Sequence, residues 1–290
     1  MKDFTVFDYF NAFSRNIGWV SREEQLLLRE KKVAIAGLGG AGGEHLLTLA
    51  RTGIGRFAIS DFDYFDIHNF NRQAGAVMST VKRDKCEVMK EMALDINPEL
   101  DIVTFEQGIN AENIDDFLDG VDVYVDSLDF FALEARELVF RKCTEKNIPI
   151  VTAAPLGMGT AILCFLPGRM TYEEYFRFND KVTKKDKLIQ FLIGLSPSML
   201  QRDYLVDPST ANFDEEKGPS LGLAIKLGAG ATAANVLKIV LNRGKVIAAP
   251  RGIHFDAYSN KVKITWRPFG NRNIIQKIMF KIARNIVNNE

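Results

Sequence analysis

Cysteine is scarce in this chain. Cys86, Cys143 and Cys164 are the only three in 290 residues, and so low and odd a count argues against a secreted disulfide framework. No Cys-x-x-Cys pair exists to build a structural zinc knuckle. Net charge is missing as well. Lys+Arg and Asp+Glu number 37 each, so the global field gives no reason to place nucleic acid as the main partner. No uninterrupted apolar run reaches the length of a membrane span. The N-terminus, MKDFTVFDYFN, interrupts any apolar stretch with Asp3 and Asp8, which does not fit a signal peptide and makes the cytoplasm the default location. Internal repeats and low-complexity tracts are absent. The rest is ordinary globular composition, 47% hydrophobic and 26% charged, at a length that suits one large domain or two small ones.

Hydrophobic periodicity alternates between strand and helix. SREEQLLLRE (21–30) reads as a short helix with Ser21 and Glu24 as a capping box. KVAIAG is a buried strand and EHLLTLARTG a helix stopped by Gly53. RFAIS is a strand, and KCEVMKEMALDI a helix ended by Asn97-Pro98. DIVTFE, VDVYVDS and PIVTAA are further strands, with FALEARELVFRKCTEK as a helix between the last two. Such alternation predicts a doubly wound, Rossmann-like α/β fold, its mostly parallel sheet covered by helices on both faces. The pattern changes after Pro155. GMGTAILCFLPG reads as one more strand, and 168–220, containing KVTKKDK, DPST and DEEKGPS, as a long crossover or mobile loop. A small-residue helix (221–242), a hairpin joined by Ser259-Asn260 and a last helix (272–288) complete an antiparallel C-terminal portion. The expected organisation is a helical arm (1–30), a nucleotide-binding core (31–166), a crossover that selects substrate (167–220) and a C-terminal portion of the same domain (221–290).

Between Val33 and Lys85 lie most of the residues that can carry chemistry. Gly37, Gly39 and Gly42 match Gly-x-Gly-x-x-Gly, with Gly40 and Gly43 beside them, on a turn that leaves a strand and enters a helix. Such a turn lets backbone amides and the helix N-terminus approach phosphate. The turn alone does not separate ATP from NAD or FAD. Asp61 follows the next strand, 24 residues past Gly37, where an acid reaches ribose hydroxyls. Asp63 either joins it or caps the turn. HNFNRQ (68–73) then supplies Asn69, Asn71, Arg72 and Gln73, and VKRDK supplies Lys85. A redox dinucleotide has little use for this arginine and lysine, whereas a triphosphate needs the countercharge. Arg72 forks onto phosphate oxygens, the amides bind phosphate or hold the arginine, and Lys85 is a point charge for the inner phosphates. Asp129, in VDSLDF just past a strand, is the metal candidate, because Mg²⁺ takes one or two carboxylates plus phosphates. Asp126, nearer the strand, is read as a helix cap.

RNIG, AGLGGAGG, LARTGIG, SDFDYFDIHNFNRQ, KCEVMKEMALDINP and VDSLDF resemble the ThiF/MoeB superfamily, adenylating enzymes related to ubiquitin-activating enzymes. The resemblance covers residues 15–165 and is nearest to the tRNA-modifying, TcdA-like branch. It implies a homodimer that binds ATP and Mg²⁺, with Asp61 on the ribose, Arg72 and Lys85 on phosphates, and Asp129 on Mg²⁺. Asn69, Asn71 and Gln73 would complete the phosphate wall, and Arg15 would reach the partner subunit's triphosphate. The implied reaction is ATP-dependent adenylation of a carboxylate, carried by a ubiquitin-like protein, a peptide or a modified nucleoside, with tRNA not favoured as the partner. The departures are informative. Residues 167–230 contain no cysteine, so no thioester relay is expected, and the zinc cysteines are missing. The arginine that should follow the metal aspartate is displaced to Arg136. Competing expectations are an NAD(P)-dependent oxidoreductase and a non-catalytic scaffold of the same family.

The last helix places Ile274, Ile275, Ile278, Met279, Ile282 and Ile286 at helical spacing, with Arg272, Lys277, Lys281 and Arg284 interleaved. A basic amphipathic helix suits an anionic membrane surface. Packing on the domain or on a dimer mate is the preferred expectation here.

Overall fold

The computed structural model describes residues 6–178, 182–213 and 215–288. Asp3, Lys181 and Asp214, each part of a segment read above, lie outside the described residues. Along the chain come α1 (Tyr9–Ala12), α2 (Arg22–Glu30), β1 (Lys32–Ala36), α3 (Gly40–Thr52), β2 (Arg56–Ser60), α4 (Lys85–Ile96), β3 (Asp101–Phe105), α5 (Ile114–Phe117), β4 (Val123–Asp126), α6 (Leu133–Glu145) and β5 (Ile150–Leu156). They continue with β6 (Gly159–Phe165), α7 (Tyr172–Phe176), α8 (Lys184–Leu195), α9 (Gly222–Val240), β7 (Arg251–Asp256), β8 (Lys261–Trp266) and α10 (Ile274–Asn288).

One eight-stranded sheet runs through the molecule in the order β3-β2-β1-β4-β5-β6-β7-β8. The strands from β3 to β5 are parallel, and β6, β7 and β8 are added antiparallel. All five residues of β1 are buried, as a strand covered on both faces requires. Its alternate side chains feed two cores. Val33 and Ile35 pack with residues of α3, α4 and α9, whereas Ala34 and Ala36 pack with α6, α7 and α8. Local signals end the helices where the sequence places them. Ser21 and Glu24 close a capping box on α2, and Gly53 stops α3 in the left-handed region with φ +93°.

The chain runs outward from β1 through β2 to β3, then returns to place β4 on the other side of β1. That reversal opens a crevice beyond the carboxyl ends of β1 and β4, where doubly wound sheets bind ligands. Ala36 is in register with both Ser60 and Asp126. The next residues, Gly37, Asp61 and Ser127, therefore leave the sheet together at one edge.

The crossover is not a loop. Residues 168–220 contain α7 and α8 and two short 3₁₀ turns. Tyr172, Tyr175, Phe176, Leu188 and Phe191 from this stretch are buried in the second core, with Tyr172 and Phe140 rings 4.5 Å apart. Polar residues flanking the aromatics masked this pad in the sequence. α9 is the small-residue helix expected for close packing. It is long and apolar enough by composition to cross a membrane, but it lies against β5, β6 and α3 as a core helix.

Candidate functional site

The glycine turn divides into two kinds of position. At Gly37 (φ +85°) a Cβ would lie 2.3 Å from the Ser127 carbonyl oxygen, and at Gly42 it would lie 1.7 Å from the Gly37 carbonyl oxygen. Those two glycines are demanded by the protein's own backbone. At Gly39 the nearest atom to an added Cβ is Gln73 Nε2, at an ordinary 3.7 Å. At Gly40 it is the flexible end of Ile225. Gly39 and Gly40 border space that a Cβ would fill, and they open α3, whose first amides have no side-chain cap.

Asp61 is buried and ties the turn to β2. Its Oδ2 accepts the Leu38 N–H at 2.6 Å, and its Oδ1 accepts the Asp63 N–H at 2.9 Å. Burial pushes its pKa up, against the pull of the Lys85 charge and the two amide bonds. Lys85 opens α4 with its side chain only 6% exposed, and its Nζ lies 3.0 Å from Oδ2 of the half-exposed Asp63. The sequence offered Lys85 as a point charge for phosphate and could not show its burial. Here it is a shielded cation at the carboxyl edge, paired with the acid of the preceding turn.

The HNFNRQ segment separates in function. Arg72 donates through Nη1 to the His68 carbonyl at 2.9 Å and to Asn71 Oδ1 at 3.0 Å, so Asn71 holds the arginine. Asn71 Nδ2 also reaches the Ser220 carbonyl at 2.9 Å. Asn69 is buried, and its Oδ1 accepts the Asp66 N–H at 2.9 Å. That oxygen braces its own turn rather than a phosphate wall. Gln73 is buried beside Gly39, and its Oε1 has no partner among the described residues.

Asp129 is exposed at the end of β4, its Oδ1 accepting the Phe131 N–H at 2.9 Å. No cluster of three or more His, Cys, Asp or Glu able to hold a metal occurs among the described residues. A lone carboxylate at this edge fits only a hard cation that takes its other ligands from phosphate and water. Asp126 departs from the capping role expected for it, because α6 begins at Leu133 with Ala132 as its N-cap and no side-chain cap. Arg136 Nε instead lies 2.9 Å from Asp126 Oδ2, both side chains 3% exposed, and Thr152 Oγ1 donates to the same oxygen at 2.8 Å. Arg136 Nη2 donates to the carbonyls of Leu128 and Asp129, so this buried pair fixes the loop that carries Asp129. The displaced arginine is a brace.

Sequence reading missed two neighbours of the site. The N-terminus of α9 docks here, since a Cβ at Gly222 would lie 2.7 Å from the Asn71 carbonyl oxygen. His45, on α3, sits 2.8 Å from Ser127 Oγ with its Nε2 unpartnered among the described residues. Burial drops its pKa to about 3, so it is neutral. Glycine-to-loop contacts across 150 residues leave no local signal. A histidine inside an apolar helix looks like any core residue.

Arg15 lies elsewhere. Its neighbour Asn16 bonds the Thr52 carbonyl at 3.2 Å, at the far end of the 13-residue α3. A helix of that length puts Arg15 about 20 Å from the glycine turn.

A reversal of strand order, a glycine turn on a helix N-terminus and an acid closing the next strand define a doubly wound α/β fold of the class whose crevice takes nucleotides. The chain belongs to the ThiF family, matching it over residues 13–272. It is 34% identical over 144 residues to the tRNA threonylcarbamoyladenosine dehydratase of Bacillus subtilis (strain 168), covering 49% of this chain and 56% of that one. With the sulfur carrier protein ThiS adenylyltransferase of Escherichia coli (strain K12) it shares 28% identity over 160 residues, 54% of this chain and 63% of the other. The chain thus spans somewhat over half the length of these curated relatives. The fold is shared with E. coli MccB crystallised with ATP, at TM-score 0.66 and 22% identity over 91% of this chain and 72% of that one. PaaA is similar, with TM-score 0.67 and 17% identity over 92% and 77%.

Proposed function

We propose that this chain binds ATP in the crevice beyond β1 and β4 and uses it to adenylate a carboxylate, releasing pyrophosphate. The carboxylate belongs to a peptide, a ubiquitin-like protein or a modified nucleoside. The observation that carries the proposal is Lys85, a cation withdrawn from solvent at the carboxyl edge, with a half-exposed aspartate as its partner. A triphosphate entering the crevice competes for that lysine with far more charge than Asp63 offers.

In this account the amides of Gly39 and Gly40 and the start of α3 receive phosphate oxygens. Asp61 retains acceptor capacity beyond its two amide bonds for ribose hydroxyls. Arg72, pre-set by Asn71, forks onto the phosphates, and Lys85 neutralises charge near the α-phosphorus. Asp129 would hold Mg²⁺, which as a Lewis acid neutralises phosphate charge when bound. A carboxylate oxygen forms a bond to the α-phosphorus while the bond to the bridging oxygen of the β-phosphate breaks. No protein nucleophile is needed, and the chain's part is alignment and charge neutralisation.

A thioester relay is disfavoured by the cysteines. All three are buried. Burial raises the thiol pKa of Cys86 and Cys164 to about 12 and moves Cys143 upward too, whereas a nucleophilic cysteine needs thiolate. The acyl group therefore passes directly to its acceptor. Arg15 sits at the opposite end of α3, so it would serve a nucleotide only in a second copy, as in the homodimer that the family resemblance implies.

The experiment is mass spectrometry of adenylated species after incubating the protein with ATP, Mg²⁺ and cell extract, alongside ATP–pyrophosphate exchange. Adenylated carboxylates should appear with wild type and vanish with Lys85→Ala. Exchange unaffected by Lys85→Ala, or NAD reduction in place of exchange, overturns the proposal.

A further inference from the structure

The C-terminal helix does not use its isoleucines to pack on the domain. α10 lies on α8 through Gln276, whose Nε2 donates to the Ile193 carbonyl at 3.0 Å, and through an ion pair between Arg284 and Asp186 at 3.0 Å. Met279, Phe280 and Ala283 share that half-buried side. The other side carries Ile274, Ile275, Ile278, Ile282 and Ile286, exposed by 74, 53, 53, 50 and 39%. At 3.6 residues per turn these five form one stripe along the helix. Lys277, Lys281 and Arg284 form the adjoining row along the helix.

The segment that carries the stripe is charged with one sign. Residues 257–289 contain seven Lys or Arg and no Asp or Glu, in a chain whose total charge is zero. Among the described residues Lys277 and Lys281 make no ion pair, while Arg284 is held by Asp186. An aliphatic stripe bordered by uncompensated lysines is complementary to a surface that is apolar inside and anionic at its rim. We propose that the outer face of α10 docks this protein on an anionic lipid bilayer, the isoleucines entering the acyl boundary and Lys277 and Lys281 meeting headgroup phosphates.

The same observations disfavour two other occupants. A second copy pairing this face two-fold with the helices antiparallel would set lysine rows of like charge against each other. RNA would satisfy the lysines but leave five isoleucines without the base stacking that single-stranded ligands give to aromatic side chains. The inference does not depend on the adenylation proposal, because no residue of the crevice enters it.

Vesicle flotation tests it with the full-length protein. Vesicles of phosphatidylcholine mixed with phosphatidylglycerol should carry the protein up the gradient, and phosphatidylcholine alone should not. Binding should weaken when salt is raised to about 0.5 M. Ile278→Asp with Ile282→Asp, and separately Lys277→Glu with Lys281→Glu, should each cut binding at least about tenfold with unchanged melting temperature, as expected for exposed positions. Equal flotation of wild type and both double variants overturns the proposal. So does conversion of a dimer to a monomer by the isoleucine variant without loss of lipid binding. A tRNA mobility shift lost in the lysine variant and kept in the isoleucine variant, with no flotation of wild type, overturns it as well.

Discussion

The two halves of the sheet are built for different work. In the parallel half the ends of β1, β2 and β4 bear on the crevice, and two buried acids there are held by specific partners, Asp61 by Leu38 and Asp63, and Asp126 by Arg136 and Thr152. In the antiparallel half, with α7 and α8 on its face, the contacts are aromatic and aliphatic, and polar links serve to fasten the crossover. Tyr204, for instance, donates to Asp256 at 2.6 Å and accepts the Met158 N–H at 2.7 Å. The difference teaches that the proposed nucleotide site is fixed by strand register, whereas the crossover is an aromatic pad fastened over the β5–β6 turn.

That contrast can be broken most sharply inside the glycine turn. Gly42→Ala drives a Cβ into the Gly37 carbonyl and should cost about 3 kcal/mol or more, seen as loss of soluble folded protein. Gly39→Ala meets no protein backbone and should cost only about 1 kcal/mol, yet weaken ATP binding about tenfold by filling phosphate space. Equal stability losses in the two variants would dissolve the distinction between glycines the fold needs and glycines the ligand needs. Next in size, Asp126→Ala strands a guanidinium whose side chain is 3% exposed and should destabilise by about 3–5 kcal/mol in urea unfolding. A loss under about 1 kcal/mol would show that the brace is dispensable.

Tyr204→Phe probes the other half. It removes one hydroxyl from two bonds and should cost about 1–3 kcal/mol while leaving ATP affinity unchanged, and a matching drop in affinity would couple the pad to the nucleotide site. At neutral pH the smallest effect belongs to His45, whose contribution changes only in acid. His45 has a folded pKa of about 3 against about 6.5 unfolded, so between those values the unfolded chain binds the extra proton. Stability from this group is complete above pH 6.5 and declines as pH falls toward 3. His45→Gln should flatten that acid limb of the melting-temperature profile, and an unchanged limb would assign it to other groups.

How much of this was legible follows the same division. Parallel strands buried on both faces announce themselves as apolar runs, and the turn after each carries its chemistry in residues adjacent in sequence. Asp61, Arg72, Lys85 and Asp129 could therefore be named as candidates by motif. What escaped depended on tertiary contact. The burial of Lys85, the use of Asn69 as a turn brace and the pairing of Asp126 with Arg136 ten residues on are invisible to local pattern. The helices of the crossover were hidden because charged and turn-forming residues flank Tyr172, Tyr175 and Phe176. The isoleucine stripe of α10 was legible as amphipathic, but only the structure showed that the stripe faces outward.

Calorimetric titration with Mg²⁺–ATP and, separately, with NAD⁺ puts the central claim to its most direct test. Wild type should bind ATP and ignore NAD⁺, Lys85→Ala should lose at least about tenfold in ATP affinity, and each variant should keep its fold. Binding of NAD⁺, or ATP affinity indifferent to the loss of Lys85, would contradict the account.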